Sequence, residues 1–264
     1  MESSSITQPR YRIWFQGATG RGQHSPYISK LEKHMADILG PEVEFSFNGA
    51  NPPATTTHAV TEFRMARTFM KNSVEAEKQG YDAVAITHFQ DAGLAECKSL
   101  VDIPVLGLGE TTLTYSLMLG RKLGLITINP IFIPWHEDQI NRYGMQQRVV
   151  GVRAVDAKVS DFMDAFASPE GYKALYPKFE REVNALLNAG ADVIVPAGGL
   201  PMLLYGGVHG AAMGGAPIIN GLSVIAKQTI AAIDLRRQCG IGVSRRSNFA
   251  KPPPVSVDEF LNHG

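Results

Sequence analysis

The sequence predicts an α/β fold of two pseudo-symmetric lobes, each a mostly parallel sheet flanked by helices, with the active site in the cleft between them. Three observations carry that prediction. Short apolar runs alternate with helix-patterned segments along the chain, the pattern of parallel sheets covered on both faces. Two stretches 110 residues apart repeat one design. The repeated apolar runs end in polar or small residues, at the loops where open parallel sheets bind ligands.

In chain order, "YRIWFQG" reads as a first strand and "SPYISKLEKHMADIL" as a helix, followed by the strand "VEFSFNG" and the helix "TEFRMARTFMKNSVEAEKQG", closed by Gly80. "YDAVAI", "IPVLGLG" and "KLGLITI" continue as strands with helices between them. After "FIPWHEDQINRYG" comes a strand near "QRVVGVRAV". A polar helical region from about Asp161 then leads through "YPKFEREVNALLNAG" to the strand "ADVIVPAGG".

The repeat is visible when "GYDAVAITHFQDAGL" is set above "GADVIVPAGGLPML": a helix-ending Gly, an Asp two residues later, an apolar strand, then a small or polar loop. Asp82 and Asp192 correspond, and so do the Pro-initiated strands "IPVLGLGETTL" and "APIINGLSVI". In that frame His88 and Gly198 occupy equivalent positions on the two sides of one cleft. Residues 1–10 are expected to be disordered, 11–240 to form the two-lobed domain with its second repeat unit from about 180, and 241–264 to form an extended tail. That Pro-rich tail is read as an arm, loose or docked on a neighbouring subunit.

With 44% hydrophobic residues over 264 positions, the chain can bury a large core. Lys+Arg and Asp+Glu balance at 25 each, so no basic field points to nucleic acid and none to a membrane surface. The expected partner is a small molecule. The segment "MESSSITQPR" lacks the apolar core of a signal peptide, and no run approaches the ~18 apolar residues of a membrane span, so a cytoplasmic location is expected. Cys97 and Cys239 both fall on helical patterns and read as reduced thiols.

The segments "GYDAVAITHFQDAGL", "IPVLGLGETTLTYSLMLGRKLGLITI" and "AGADVIVPAGGLPML" resemble the aspartate/glutamate/hydantoin racemase superfamily, nearest its hydantoin racemase branch. The resemblance runs from about Arg12 to Ile233 and is absent from the tail. It implies the two-lobed fold, no cofactor, a substrate held between the lobes, and frequent assembly into dimers or larger homo-oligomers. It also implies a catalytic cysteine at the end of each repeated strand, one thiolate removing an α-proton and the other thiol returning one to the opposite face. Here those positions hold His88 and Gly198. Glycine can serve as neither acid nor base, so one-sided chemistry at His88 is expected instead of two-base racemisation. An imidazole, with an ordinary pKa near ~6.5, can accept or donate a proton at neutral pH.

Around His88, Thr87 and Phe89 are candidate substrate contacts, and Asp91 is placed to orient the ring. Thr111 and Thr112 open a helix after Glu110, where hydroxyls and free N–H groups can hold a carboxylate or cap the helix. Thr127, at the end of "GLITI", matches a family position that lines the pocket, as does Gln16 at the end of the first strand. Gly198 and Gly199 bring backbone close to the cleft and leave room for a bulkier substrate group or a water. "FQGATGRGQHSPY" fails as a phosphate loop because Gln23 and His24 stand where Lys and Ser/Thr are required. In "NGANPPATTTHAV", Thr55 to Thr57 offer a helix cap. A metal held by His24, His88 and Asp91 would need distant pieces, and none is expected.

The leading expectation is thus a cofactor-independent enzyme acting on a small carboxylate or cyclic amide, of lyase, decarboxylase or one-base isomerase type, with oxyanion support from post-strand N–H groups. A hydrolase activating a water beside Gly198, with His88 as base, is the second. A small-molecule binding protein without turnover is the third. The stretch "GGVHGAAMGGAPII" is a candidate subunit interface.

Overall fold

A computed structural model describes residues 9–18, 25–54, 58–207 and 210–263. Most of residues 1–10, with His24 and Thr55 to Thr57, therefore lie outside the described residues. The first lobe is built from β1 (Tyr11–Gln16), α1 (Pro26–Leu39), β2 (Val43–Asn48), α2 (Ala59–Lys78), β3 (Ala83–Ile86), α3 (Leu94–Leu100), β4 (Val105–Gly107) and α4 (Leu108–Ser116). The second holds β5 (Leu123–Thr127), α5 (Ile133–Arg142), β6 (Val149–Ala154), α6 (Val159–Ala167), α7 (Pro169–Asn188), β7 (Val193–Pro196), α8 (Gly199–Tyr205), β8 (Ala211–Met213), β9 (Ala216–Ile218) and α9 (Gly221–Cys239). A final helix, α10 (Pro254–His263), ends the tail.

The sheet orders are β2-β1-β3-β4 and β6-β5-β7-β9-β8, parallel except for the β8–β9 pair. The central strands are apolar on both faces because helices cover both: every residue of β3, β5 and β7 is buried. Burying each such Val, Leu or Ile side chain contributes about 1.5–3 kcal/mol.

The repeat read from the sequence is a repeat of hydrogen bonds. Asp82 Oδ2 accepts from Arg12 N and Asp192 Oδ2 from Lys122 N, while the Asp82 and Asp192 amides donate to the carbonyls of Arg12 and Lys122. Each Asp thus staples a middle strand to the start of its neighbour. At the other end, Thr87 N donates to Gln16 O and Ala197 N to Ile126 O, both at 2.7 Å. The helices after the outer strands are exchanged, α4 packing against β7 and α9 against β3, and the two helices meet each other. Both post-strand loops are thereby carried to one cleft.

The tail departs from the extended arm expected for 241–264. It folds back on its own first lobe and ends in a helix. Arg245 donates to the carbonyls of Lys98 and Val101 and to Asp102, Lys251 pairs with Asp102, and Lys71 Nζ donates to Leu261 O. The Arg245 and Lys251 charges meet carbonyls and a carboxylate that α3 leaves at its C-terminal end, where cations are favoured. The "GGVHGAAMGGAPII" stretch contains the β8–β9 hairpin at the edge of the second sheet, with Gly214 and Gly215 at its turn.

Candidate active site

A cavity of about 460 Å³ lies between the lobes, lined at its centre by Thr87, His88, Phe89, Thr127, Gly198 and Gly199. Six of the residues predicted from sequence are therefore together. They converge because β3, β5 and β7 lie near the middle of their sheets and all end at the same edge.

His88 is held by a residue sequence reasoning missed. Its Nε2 lies 2.8 Å from Glu62 Oε2, in the first turn of α2, and both side chains are mostly buried, at 15% and 20% exposure. A carboxylate only accepts, so this bond places the proton on Nε2 and the lone pair on Nδ1. The ring also packs edge-on to Phe69, at 6.1 Å. Glu62 follows no motif. Only its place on the helix after the second strand, where a parallel sheet brings helix starts to the ligand edge, could have flagged it.

Asp91 does not orient that ring. Its buried carboxylate accepts from the N–H groups of Gly109 and Glu110 at 3.0 and 2.6 Å, from Tyr143 Oη at 2.6 Å and from Gln139 Nε2 at 3.2 Å. It is the side-chain cap of α4, delivered from a loop rather than from the residue before the helix. Burial raises its pKa to about 6 against the hydrogen bonds of Tyr143, Glu110 and Gly109. Thr111 and Thr112 do not cap the helix, and neither lines this cavity. Thr112 is fully buried, with Oγ1 crowded against Gly221 of α9. Thr111 and Glu110 line a separate hollow of about 530 Å³ beside the tail, and Glu110 pairs there with Lys98.

Gln16 is likewise turned away from the cavity. Its Oε1 accepts from Trp14 Nε1 and Asn72 Nδ2, and its Nε2 donates to the carbonyls of Gly17 and Asn48. All four bonds are satisfied inside the first lobe, so it ties β1 to β2 and α2. A polar residue at a strand end looks the same in sequence whether it faces ligand or core.

Thr127 belongs to a relay between the lobes. His136 Nε2 lies 3.2 Å from Thr127 Oγ1, and His136 Nδ1 lies 3.3 Å from Gln139 Oε1. Gln139 Nε2 donates to Phe89 O and to Asp91, which fixes its amide, so His136 carries its proton on Nδ1 and accepts from Thr127. Burial lowers the His136 pKa to about 4, so the ring is neutral near pH 7. It sits between the rings of Phe89 and Phe132.

Gly198 has φ +144°, a conformation essentially confined to glycine, and a Cβ there would meet Pro201 Cδ at 3.3 Å. Gly198→Ala is expected to lower stability by about 1–3 kcal/mol, read from the midpoint of urea unfolding. A midpoint equal to that of the wild type would contradict this loop conformation. Cys97 is buried in the first lobe and Cys239 is exposed on α9, both away from the cavity lining. Among the described residues, no group of three His, Cys, Asp or Glu side chains is gathered to hold a metal, and no helix is long and apolar enough to cross a membrane.

Comparison with known proteins places this geometry in context. The family model described as Asp/Glu/Hydantoin racemase matches residues 26–229. A hydantoin racemase of Rhizobium meliloti is 26% identical over 205 residues, covering 78% of this chain and 80% of that protein. A hydantoin racemase of Pseudomonas sp. strain NS671 is 29% identical over 110 residues, but the match spans only 42% of this chain and 44% of that protein. Allantoin racemase from Klebsiella pneumoniae superposes with a TM-score of 0.73 at 20% identity, over 92% of this chain and 94% of that one. A liganded double mutant of arylmalonate decarboxylase superposes with a TM-score of 0.59 at 14% identity, over 84% and 92%. At these identities the two structures share the fold.

Proposed function

The chain belongs to the Asp/Glu/hydantoin racemase family, and from that premise we propose that it is a cofactor-independent enzyme using His88 in one-sided acid–base chemistry on a small carboxylate or cyclic amide. The reaction is of lyase, decarboxylase or one-base isomerase type. The observation that carries the reading is the His88–Glu62 pair in the cavity that Gly198 also lines, a base with a fixed lone pair in one repeat and a residue without a side chain at the equivalent position of the other. His88 Nδ1 takes a proton from the substrate α-carbon, or delivers one to the carbanion left when CO₂ departs. Glu62 stabilises the imidazolium while it exists. In either case proton transfer is confined to the face of the substrate that His88 addresses.

Stereochemistry in heavy water tests this directly. Single enantiomers of a 5-substituted hydantoin and prochiral substituted malonates are followed by proton NMR and chiral chromatography. One-sided chemistry incorporates deuterium into the starting hydantoin enantiomer with its configuration kept, faster than the other enantiomer forms, or gives a single enantiomer of a decarboxylated malonate. Inversion with deuterium confined to the inverted product would instead show two acid–base groups acting from opposite faces and would sink the proposal.

A further inference from the structure

We propose that Tyr27 is a further catalytic residue: its phenol donates a hydrogen bond to the substrate oxygen on which negative charge collects, opposite the proton transfer at His88. The inference deepens the one-sided reading above and rests on it for the reaction step, while the binding contact stands by itself.

Tyr27 is placed by the local chemistry at the start of α1. Ser25 caps the helix, its Oγ accepting from Ile28 N at 3.2 Å, and Pro26 at the first helical position presets the backbone. Tyr27 therefore leaves the first turn at a fixed angle. Its ring packs between the two hydrophobic cores and lies 5.5 Å from the Phe166 ring, so the side chain spans both lobes with its tip at the cleft. That tip touches Gly199: a Cβ on Gly199 would come within 2.6 Å of the Tyr27 oxygen and 3.9 Å of Thr87 O. Tyr27, Thr87, His88 and Gly199 line the same cavity.

The hydroxyl has no hydrogen-bond partner among the described residues. The residue is half-buried and its hydroxyl opens on the cavity, so it is free to donate to an acceptor from outside the chain. Desolvation holds the phenol well above its ordinary pKa, so it remains a donor at all working pH values. A neutral phenol in this position can donate to a carbonyl or carboxylate oxygen.

Part of the oxyanion support expected from post-strand N–H groups is committed elsewhere, which leaves a place for a side-chain donor beside the N–H groups that remain. Thr87 N is used by Gln16 O, Ala197 N by Ile126 O, and Gly198 N by Pro196 O. The N–H groups of Gly109 and Glu110 at the start of α4 are taken by Asp91. A base alone cannot hold an enolate, and the charge needs a fixed donor in a site sheltered from water.

Tyr27→Phe removes one oxygen and keeps the packing. The probes are a 5-substituted hydantoin and a substituted malonate, each followed by α-deuterium exchange or conversion and by titration calorimetry. The expected result for Tyr27→Phe is about a 10²-fold slower reaction with kcat affected more than KM. Gly199→Ala, which presses on the phenol, is expected to slow the reaction too, and to add little in the Tyr27→Phe background. Should the wild type bind a probe without turning it over, the role is read from affinity: at least a fivefold weaker binding to Tyr27→Phe supports it. Equal rates and equal affinities for wild type and Tyr27→Phe overturn it, as does failure of the wild type to bind either probe. A slow Tyr27→Phe beside an unimpaired His88→Ala would overturn the His88 reading and leave the Tyr27 donor standing.

Discussion

His88→Ala is expected to lower kcat/KM by about 10³-fold, inside the range of roughly 10²–10⁴ that a positioned acid–base group supplies. The loss falls on kcat, because the imidazole acts on a proton in flight rather than on substrate affinity. Glu62→Gln gives the informative contrast. Glutamine keeps an oxygen in reach of Nε2, now 2.8 Å from the carboxylate, but removes the charge that favours the imidazolium. The expected loss is about tenfold, equivalent to about 1.4 kcal/mol, with a changed pH profile. Added imidazole should restore part of the activity of His88→Ala and none of that lost in Glu62→Gln. A His88→Ala enzyme retaining more than a tenth of wild-type kcat/KM would remove His88 from the chemistry.

The second large effect is an acid-dependent loss of stability through His136. Its pKa is about 4 in the folded protein because burial penalises the charged ring, against about 6.5 when unfolded. The unfolded chain therefore binds the extra proton between those values. Stability contributed by the neutral ring is complete above about pH 6.5 and is lost as pH falls toward about 4, a change of roughly 3 kcal/mol. In His136→Gln this slope is absent, so the stability difference between wild type and variant should shrink by that amount between pH 7 and pH 4, measured by urea unfolding at several pH values. Asp91 slopes the other way. Its folded pKa of about 6 lies above the unfolded value, so its contribution is full below the unfolded pKa and lost as pH rises through about 6. It is present in both proteins, and its slope cancels in the difference. A constant gap from pH 7 to 4 would show that the buried ring takes up a proton in the folded state.

Much of the fold was legible because it rests on local pattern. The short, largely apolar runs of β3, β5 and β7 read as strands covered on two faces, and the Gly…Asp spacing before β3 and β7 repeats because each Asp makes the same staple to the neighbouring strand. The cavity residues Thr87, His88, Phe89, Thr127, Gly198 and Gly199 were found for a related reason: they lie at the ends of recognisable strands. What failed were inferences about side-chain direction. The sequence places Gln16 toward ligand and Thr111 and Thr112 at a free helix end, yet partners distant in sequence, Asn72 and Asp91, occupy those places. Glu62 and Tyr27 were missed because they reach the cleft from helices, and nothing local distinguishes them from ordinary surface or core positions. The course of the tail is not legible in sequence, because Pro-rich composition describes the chain's stiffness and says nothing of the acceptors on α3 that receive it.

The strap from the tail to Lys98, Val101 and Asp102 also bears on how the molecule is made. The first lobe is the first to leave the ribosome, but its α3 corner is completed only by residues beyond Arg245, and its β3 face only by α9. During synthesis it must wait, with part of its apolar surface uncovered, until the second lobe has been translated. The two lobes resemble each other as structures, yet as folding units they are not equal: the second finds its borrowed helix, α4, already synthesised, whereas the first waits for α9 and the tail.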